Sequence, residues 1–100
     1  MAATSRTGAS APVYLGVDIG TSGARAIAVD RTGRTLATAD RPYPLHTPAP
    51  GHVEQDPNDW IAGALATITE VCASGAFDPA DVAGIGVDGQ SWACVPVDET

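Results

Sequence analysis

The chain has 100 residues, 44% of them hydrophobic, and a formal charge of −7 from 12 acids against five arginines and no lysine. That length holds one domain at most, or part of one. The acidic balance argues against a nonspecific nucleic-acid binder or a protein drawn to anionic membranes, so neither partner is expected.

Residues 1–12 are rich in Ala, Ser and Thr and lack the apolar centre of a signal peptide. They are expected to form a disordered tail. No apolar run approaches membrane-spanning length, and the chain reads as soluble and cytoplasmic. Val13, Leu15, Val17 and Ile19 alternate with Tyr14, Gly16 and Asp18, the periodicity of a first strand. Gly20-Thr21-Ser22-Gly23 then makes a tight turn, and a second strand is expected over about Ala24 to Asp30. Asp30-Arg31-Thr32-Gly33 is a hairpin signal, with Gly33 suited to a left-handed backbone. A third strand, about Arg34 to Asp40, completes an antiparallel meander.

A proline-punctuated connection follows from Arg41 to Gln55, longer than most loops in compact domains and therefore functional or disordered. Its end is well specified. Asp56 suits an N-cap, Pro57 the first helical position, and Asp59 the positive end of the helix dipole. The helix should run to about Ala73, with Trp60, Ile61, Ala64, Leu65, Ile68, Val71 and Cys72 on one apolar face. Ser74-Gly75 is the expected stop. Asp78-Pro79 can start a short helical turn before a fourth strand, Val82 to Val87, which ends in Asp88-Gly89. A fifth strand is expected over about Trp92 to Val97. The order β-β-β-α-β-β, with a helix crossing between strands three and four, implies an α/β fold with a mixed sheet.

The segment Asp18 to Arg25 carries the clearest chemistry. A strand-end carboxylate followed by Gly-Thr-Ser-Gly offers what a phosphate and its magnesium need: close backbone approach, hydroxyl and N–H donors, and an anionic oxygen for the cation. An isolated Asp there would be ordinary turn chemistry. Arg25 can reach a phosphate or pair with a carboxylate. Asp88-Gly89-Gln90-Ser91-Trp92 is a second candidate, because ligands favour strand C-termini in α/β sheets. Gln90 and Ser91 can donate and accept, and Trp92 either stacks on a sugar or packs in the core. His46 and His52 have too few partners for a metal site, and capping explains Asp56 and Asp59 beside Glu54. Cys72 and Cys94 lack CxxC spacing and are expected as free thiols in a reducing cytosol, with a disulfide between them left open.

Gly16-Val17-Asp18-Ile19-Gly20-Thr21-Ser22-Gly23 with Arg25 resembles the first phosphate motif of the actin-like ATPase superfamily. Pro50-Gly51-His52-Val53-Glu54-Gln55-Asp56-Pro57, with Trp60, resembles the "PGWVEQDP" stretch of the FGGY carbohydrate kinases, His52 standing where Trp is usual. Gly84-Ile85-Gly86-Val87 and Gly89-Gln90 resemble that family's third landmark. The resemblance covers almost everything from Val13 onward and implies the N-terminal part, residues 13–100, of a ribonuclease H-like, actin-like ATPase domain that is incomplete. It implies ATP-dependent phosphorylation of a sugar hydroxyl, with ATP and Mg2+ as cofactors. By position, Asp18 would help hold magnesium, Thr21, Ser22 and Gly23 would contact nucleotide phosphates, and Arg25 would lie near the nucleotide. Gln90, Ser91 and Trp92 would face the sugar. Ser91-Trp92 departs from the Met-His of many xylulokinases and the Arg-Glu of glycerol kinases, which speaks against glycerol. The loop and helix entry look most like xylulokinases, and Asp88 with residues 93–98 resembles ribulokinases. The family's catalytic base would lie beyond Thr100, so this chain is expected to be inactive alone. A non-catalytic nucleotide-binding module of the same fold, or a gene remnant, is the competing expectation.

Overall fold

The computed structural model describes residues 11–100, so the expected tail lies almost wholly outside the described residues. Four strands and one helix follow in the order β1 (Val13–Ile19), β2 (Gly23–Asp30), β3 (Thr35–Pro42), α1 (Pro57–Cys72) and β4 (Val82–Gly89), with a single 3-10 turn at Pro79–Asp81 before β4. The sheet order is β3-β2-β1-β4. The meander β1-β2-β3 is antiparallel, and β4 pairs parallel with β1, so the sheet is mixed as the crossover helix implies.

Alternation sets the layers. Val13, Leu15 and Val17 from β1 and Ala24, Ala26 and Ala28 from β2 are buried against α1, together with Ala39 of β3. The β2 positions are small because the helix comes close. A Cβ on Gly63 of α1 would fall 3.2 Å from the Tyr43 ring and 3.5 Å from the Ala24 methyl. The opposite sheet face has no helix over it among the described residues, and it carries the polar alternates Asp18, Arg25, Asp40 and Asp88.

The β2–β3 hairpin forms as its sequence predicts. Asp30 Oδ1 accepts from Thr32 N (2.8 Å), Thr32 Oγ1 (2.6 Å) and Arg34 N (3.1 Å), and Gly33 takes φ +89. Asp56 caps α1 by accepting from Asn58 N at 2.9 Å, Pro57 opens the helix, and Gly75 follows its end with φ +81. The long connection is ordered as a small hairpin, closed by reciprocal backbone bonds between His46 and Glu54, both 2.8 Å.

Three expectations need correction. The buried face of α1 is Gly63, Ala64, Thr67 and Val71, while Ile61 and Leu65 are each 58% exposed. Of the expected stripe, Ala64 and Val71 are buried and Ile68 and Cys72 pack against the core; the close approach of α1 to β2 sets Gly63 and Thr67 beside them and leaves Ile61 and Leu65 outside. β3 and β4 each run two residues past the expected ends, to Pro42 and Gly89. β3 tolerates Pro42 because it is an edge strand, where a missing donor leaves no ladder bond unmade. Finally, the fifth strand at residues 92–97 is not formed. Trp92 is left-handed (φ 63), Pro96 lacks a donor, and among the described residues no further strand lies alongside. The order is therefore β-β-β-α-β. Cys72 and Cys94 are free, as expected.

Candidate functional site

The site is built at the C-terminal ends of the two parallel strands β1 and β4. Their register places Asp18 beside Asp88 and Ile19 beside Gly89, and Gln90 N continues the ladder by donating to Ile19 O at 3.0 Å. Between β1 and β2 the chain reverses through Gly20-Thr21-Ser22, closed by Gly20 N donating to Gly23 O at 3.0 Å. Thr21 and Ser22 are exposed at the tip. Gly23 is dictated by packing: a Cβ there would lie 2.5 Å from Arg41 O and 2.9 Å from Pro42 Cα of β3.

Two residues that sequence reasoning left without a role hold this turn from below. The Tyr43 hydroxyl donates to Gly20 O, and Tyr43 N donates to Ser22 O at 3.3 Å. Burial, with the Asp18 charge adding to it, pushes the Tyr43 phenol above its ordinary value, so it stays a protonated donor. Gln55 Nε2 donates to Thr21 O at 2.6 Å, while its Oε1 accepts from Trp60 Nε1 and from Gln90 Nε2, both 3.1 Å. No periodicity marks a glutamine in a loop; its only sequence signal is its place in the Glu54-Gln55-Asp56-Pro57 landmark.

The turn separates two hollows. On one side, Asp18, Gly20, Ser22, Gly23 and Arg25 line a recess of about 290 Å³ with Asp40, Arg41 and Pro42. On the other, Thr21, Gln55, Trp60, Gln90 and Trp92 border a cleft of about 680 Å³. The structure thus brings Asp18, Ser22, Gly23 and Arg25 together, and puts Thr21 with Gln90 and Trp92. Ser91 is exposed and borders neither hollow. Trp92 is fully exposed, which removes the core-packing alternative for its indole.

Charge runs in a row across the open face. Arg25 Nε donates to Asp40 Oδ1 at 2.6 Å. This bond and the Asp40 charge, with a smaller contribution from Asp18, hold the guanidinium still more firmly protonated. Of the two roles open to Arg25, the carboxylate pair is the one made here. On the far side, a hydrogen bond with Asp18 and repulsion from its charge hold Asp88 above the ordinary carboxylate range. Two carboxylates set side by side at the strand ends form a place where a cation is favoured. Among the described residues no group of three or more His, Cys, Asp or Glu is placed to hold a metal. The donor set fits a hard ion such as Mg2+, which keeps most of its waters and takes one or two carboxylates plus phosphate oxygens.

A strand-end carboxylate, a hydroxyl-tipped hairpin turn and a parallel fourth strand are features of actin-like ATPase domains. Residues 13–100 match the N-terminal domain of the FGGY family of carbohydrate kinases. Similar proteins include a glycerol kinase of Citrifermentans bemidjiense, 43% identical over 76 residues, and a xylulose kinase of Staphylococcus epidermidis, 37% identical over 87 residues. These alignments cover 76% and 87% of this chain but only 15% and 18% of the relatives, respectively. The crystal structure of a xylulose kinase from Rhodospirillum rubrum superposes with a TM-score of 0.72 at 36% identity, covering 79% of this chain and 16% of that one. The chain belongs to the FGGY family of carbohydrate kinases, and it spans about a sixth of the length of the relatives it matches. Among the described residues, no helix is long and apolar enough to cross a membrane.

Proposed function

We propose that this chain forms the phosphate-binding wall of a sugar kinase cleft, in which ATP donates its terminal phosphoryl group to a pentulose hydroxyl. The observation that carries this reading is the junction at the strand ends. One hairpin turn presents Asp18, Ser22 and Gly23 to one hollow and Thr21 to another, shared with Gln90 and Trp92. Phosphoryl transfer needs a nucleotide and an acceptor held in line on either side of a charge-stabilising wall. Asp18 would hold Mg2+ through its carboxylate, and the cation supplies neutralisation of phosphate charge when bound. Ser22 and Gly23 would offer phosphate oxygens a hydroxyl and a backbone donor, and Arg25 lines the same recess. Gln90 offers the acceptor sugar an amide, and the exposed Trp92 offers an apolar face.

D-Xylulose is the proposed acceptor, supported by the resemblance of the loop and helix entry to xylulokinases and by the likeness to solved xylulose kinases. Glycerol kinases stand among the similar proteins, so glycerol is the second substrate to test. Ribulose is the third, on the strength of Asp88. The 100 residues alone are proposed to turn over none of these, since the described residues form one wall of the proposed cleft and span about a sixth of the relatives' length. A cytoplasmic location is part of this proposal. Titration calorimetry with Mg–ATP tests the nucleotide half. Binding that requires Mg2+ and is lost in Asp18→Asn supports the reading, and equal binding by the variant refutes it. A coupled ADP-release assay with the three acceptors tests the other half. Turnover by this polypeptide alone would overturn the proposal that it is inactive.

A further inference from the structure

We propose that Gln55 is a positioning residue that locks the phosphate turn to the end of β4, fixing the separation of the nucleotide and acceptor sides. The inference rests on the functional reading above for the meaning of the two sides, but its physical content stands on the hydrogen bonds alone. The Gln55 side chain reaches three different elements: Thr21 O in the turn, the Trp60 indole in the first turn of α1, and the Gln90 amide after β4. Thr21 Oγ1 in turn donates to Gln90 Oε1 at 3.5 Å, which closes a ring of three residues, one link of it through the Thr21 backbone carbonyl.

The direction of every bond in this ring is chemically forced. An indole N–H only donates and a backbone carbonyl only accepts. Gln55 therefore must face Trp60 with its oxygen and Thr21 with its nitrogen. Rotating the amide by half a turn would set oxygen against oxygen at Thr21 and N–H against N–H at Trp60. With Gln55 fixed, Gln90 must present its NH2 to Gln55, which leaves its own oxygen toward Thr21. The amide that would meet an acceptor sugar is thus oriented by a residue outside β4. The other described contact to this amide, from Thr21 Oγ1, is longer and comes from a hydroxyl that can donate or accept, so it does not set the orientation alone. The Gln90 N bond to Ile19 O holds its backbone but leaves its side chain free to turn. The sequence separations of 34 from Thr21 to Gln55 and 35 from Gln55 to Gln90 are what make the ring a tie between otherwise separate segments.

Two variants separate positioning from general stability. Gln55→Met has similar length and makes none of the three bonds. Gln55→Glu keeps an acceptor for Trp60 and Gln90 and replaces the donor to Thr21 O with an oxygen, so the turn must draw away there. In the ligand-free chain, Gln55→Met should speed exchange of the Gln90 backbone N–H and the Trp60 indole N–H about tenfold, equivalent to about 1.4 kcal/mol of local stability. Amides at the centre of β1 and β2 should stay within about twofold. Gln55→Glu should return Gln90 and Trp60 to within about twofold of wild type and alter only the turn amides of Thr21 to Gly23. Unchanged exchange at Gln90 and Trp60 in Gln55→Met, or equal acceleration throughout the sheet, would overturn the proposal. So would failure of Gln55→Glu to restore them. Nuclear magnetic resonance with Mg–ATP as probe adds the link between sides: the Gln90 side-chain amide should respond in wild type and not in Gln55→Met. An identical Gln90 response in both would also overturn it. A wild-type turn that does not respond to Mg–ATP would instead remove the nucleotide reading, and the ligand-free exchange would still decide the role of Gln55.

Discussion

Gly23→Ala is the most informative single substitution, because it separates two reasons for a glycine in this turn. A Cβ at Gly23 would lie 2.5 Å from Arg41 O, whereas ordinary van der Waals contact begins at 3.4 Å, so β3 must retreat by about 0.9 Å. The obstacle is strand backbone, pinned by its pairing of Gly23 with Pro42 and Ala24 with Arg41. It cannot swing aside as a side-chain tip would. Overpacking of this kind costs about 1–3 kcal/mol. Removing a glycine from a strand returns about 0.5–1 kcal/mol through the unfolded chain. At the middle of these ranges the net expectation is a loss of about 1.3 kcal/mol, or roughly 5–10 °C in Tm for a domain of this size. Gly86→Ala is the control, since a Cβ there meets nothing within 4 Å and its φ is not left-handed; it should be neutral or slightly stabilising. Thermal and urea unfolding followed by circular dichroism measure both. Equal stability of Gly23→Ala and Gly86→Ala would refute the argument and leave ligand contact as the reason for Gly23.

Tyr43→Phe should lower the urea midpoint by about 1 kcal/mol of stability at constant m-value, because Gly20 O loses its buried donor; an unchanged midpoint would show that the hydroxyl carries nothing. Carboxyl titrations should part in opposite directions. The three bonds to Asp30, led by the Thr32 hydroxyl, lower its folded-state pKa below 3.8, so its stabilisation is complete above that value and lost as pH falls through the folded pKa. Asp88 is raised above 3.8, so its contribution is complete below that value and lost as pH rises through the folded pKa. Carbon-detected titration should show this order, and Asp88→Asn should flatten only the upper limb of the stability profile. Trp92→Ala should leave stability within about 0.5 kcal/mol, since the indole makes no packing contact, yet abolish any fluorescence response to D-xylulose; a large fall in Tm would contradict the exposed placement.

The features legible in sequence were those written in local chemistry. Alternation at Val13 to Ile19, the Asp30–Gly33 turn and the Asp56-Pro57 cap are each set by residues a few positions apart, and each formed where expected. The crossover helix implied a mixed sheet, but that β4 lies beside β1 and sets Asp18 next to Asp88 is shown only by the structure. What sequence could not show depends on distance in space. The face of α1 is chosen by the gap above Ala24 and Ala26, which no helical wheel contains. The apolar run at residues 92–97 looked like a strand because alternation does not report whether a partner edge exists. Tyr43 and Gln55 act on the turn from 23 and 34 residues away, through single hydrogen bonds that leave no pattern in the chain.

The central claim is that the turn from Asp18 to Gly23 receives the phosphates of a magnesium-bound nucleotide. Amide chemical-shift mapping of this chain with Mg–ATP tests it most directly. The account predicts magnesium-dependent shifts concentrated at Thr21, Ser22 and Gly23, with the Asp18 and Asp88 carboxyls moving together and the effect lost in Asp18→Asn. Shifts absent from the turn at saturating Mg–ATP, or unchanged by Asp18→Asn, would contradict it.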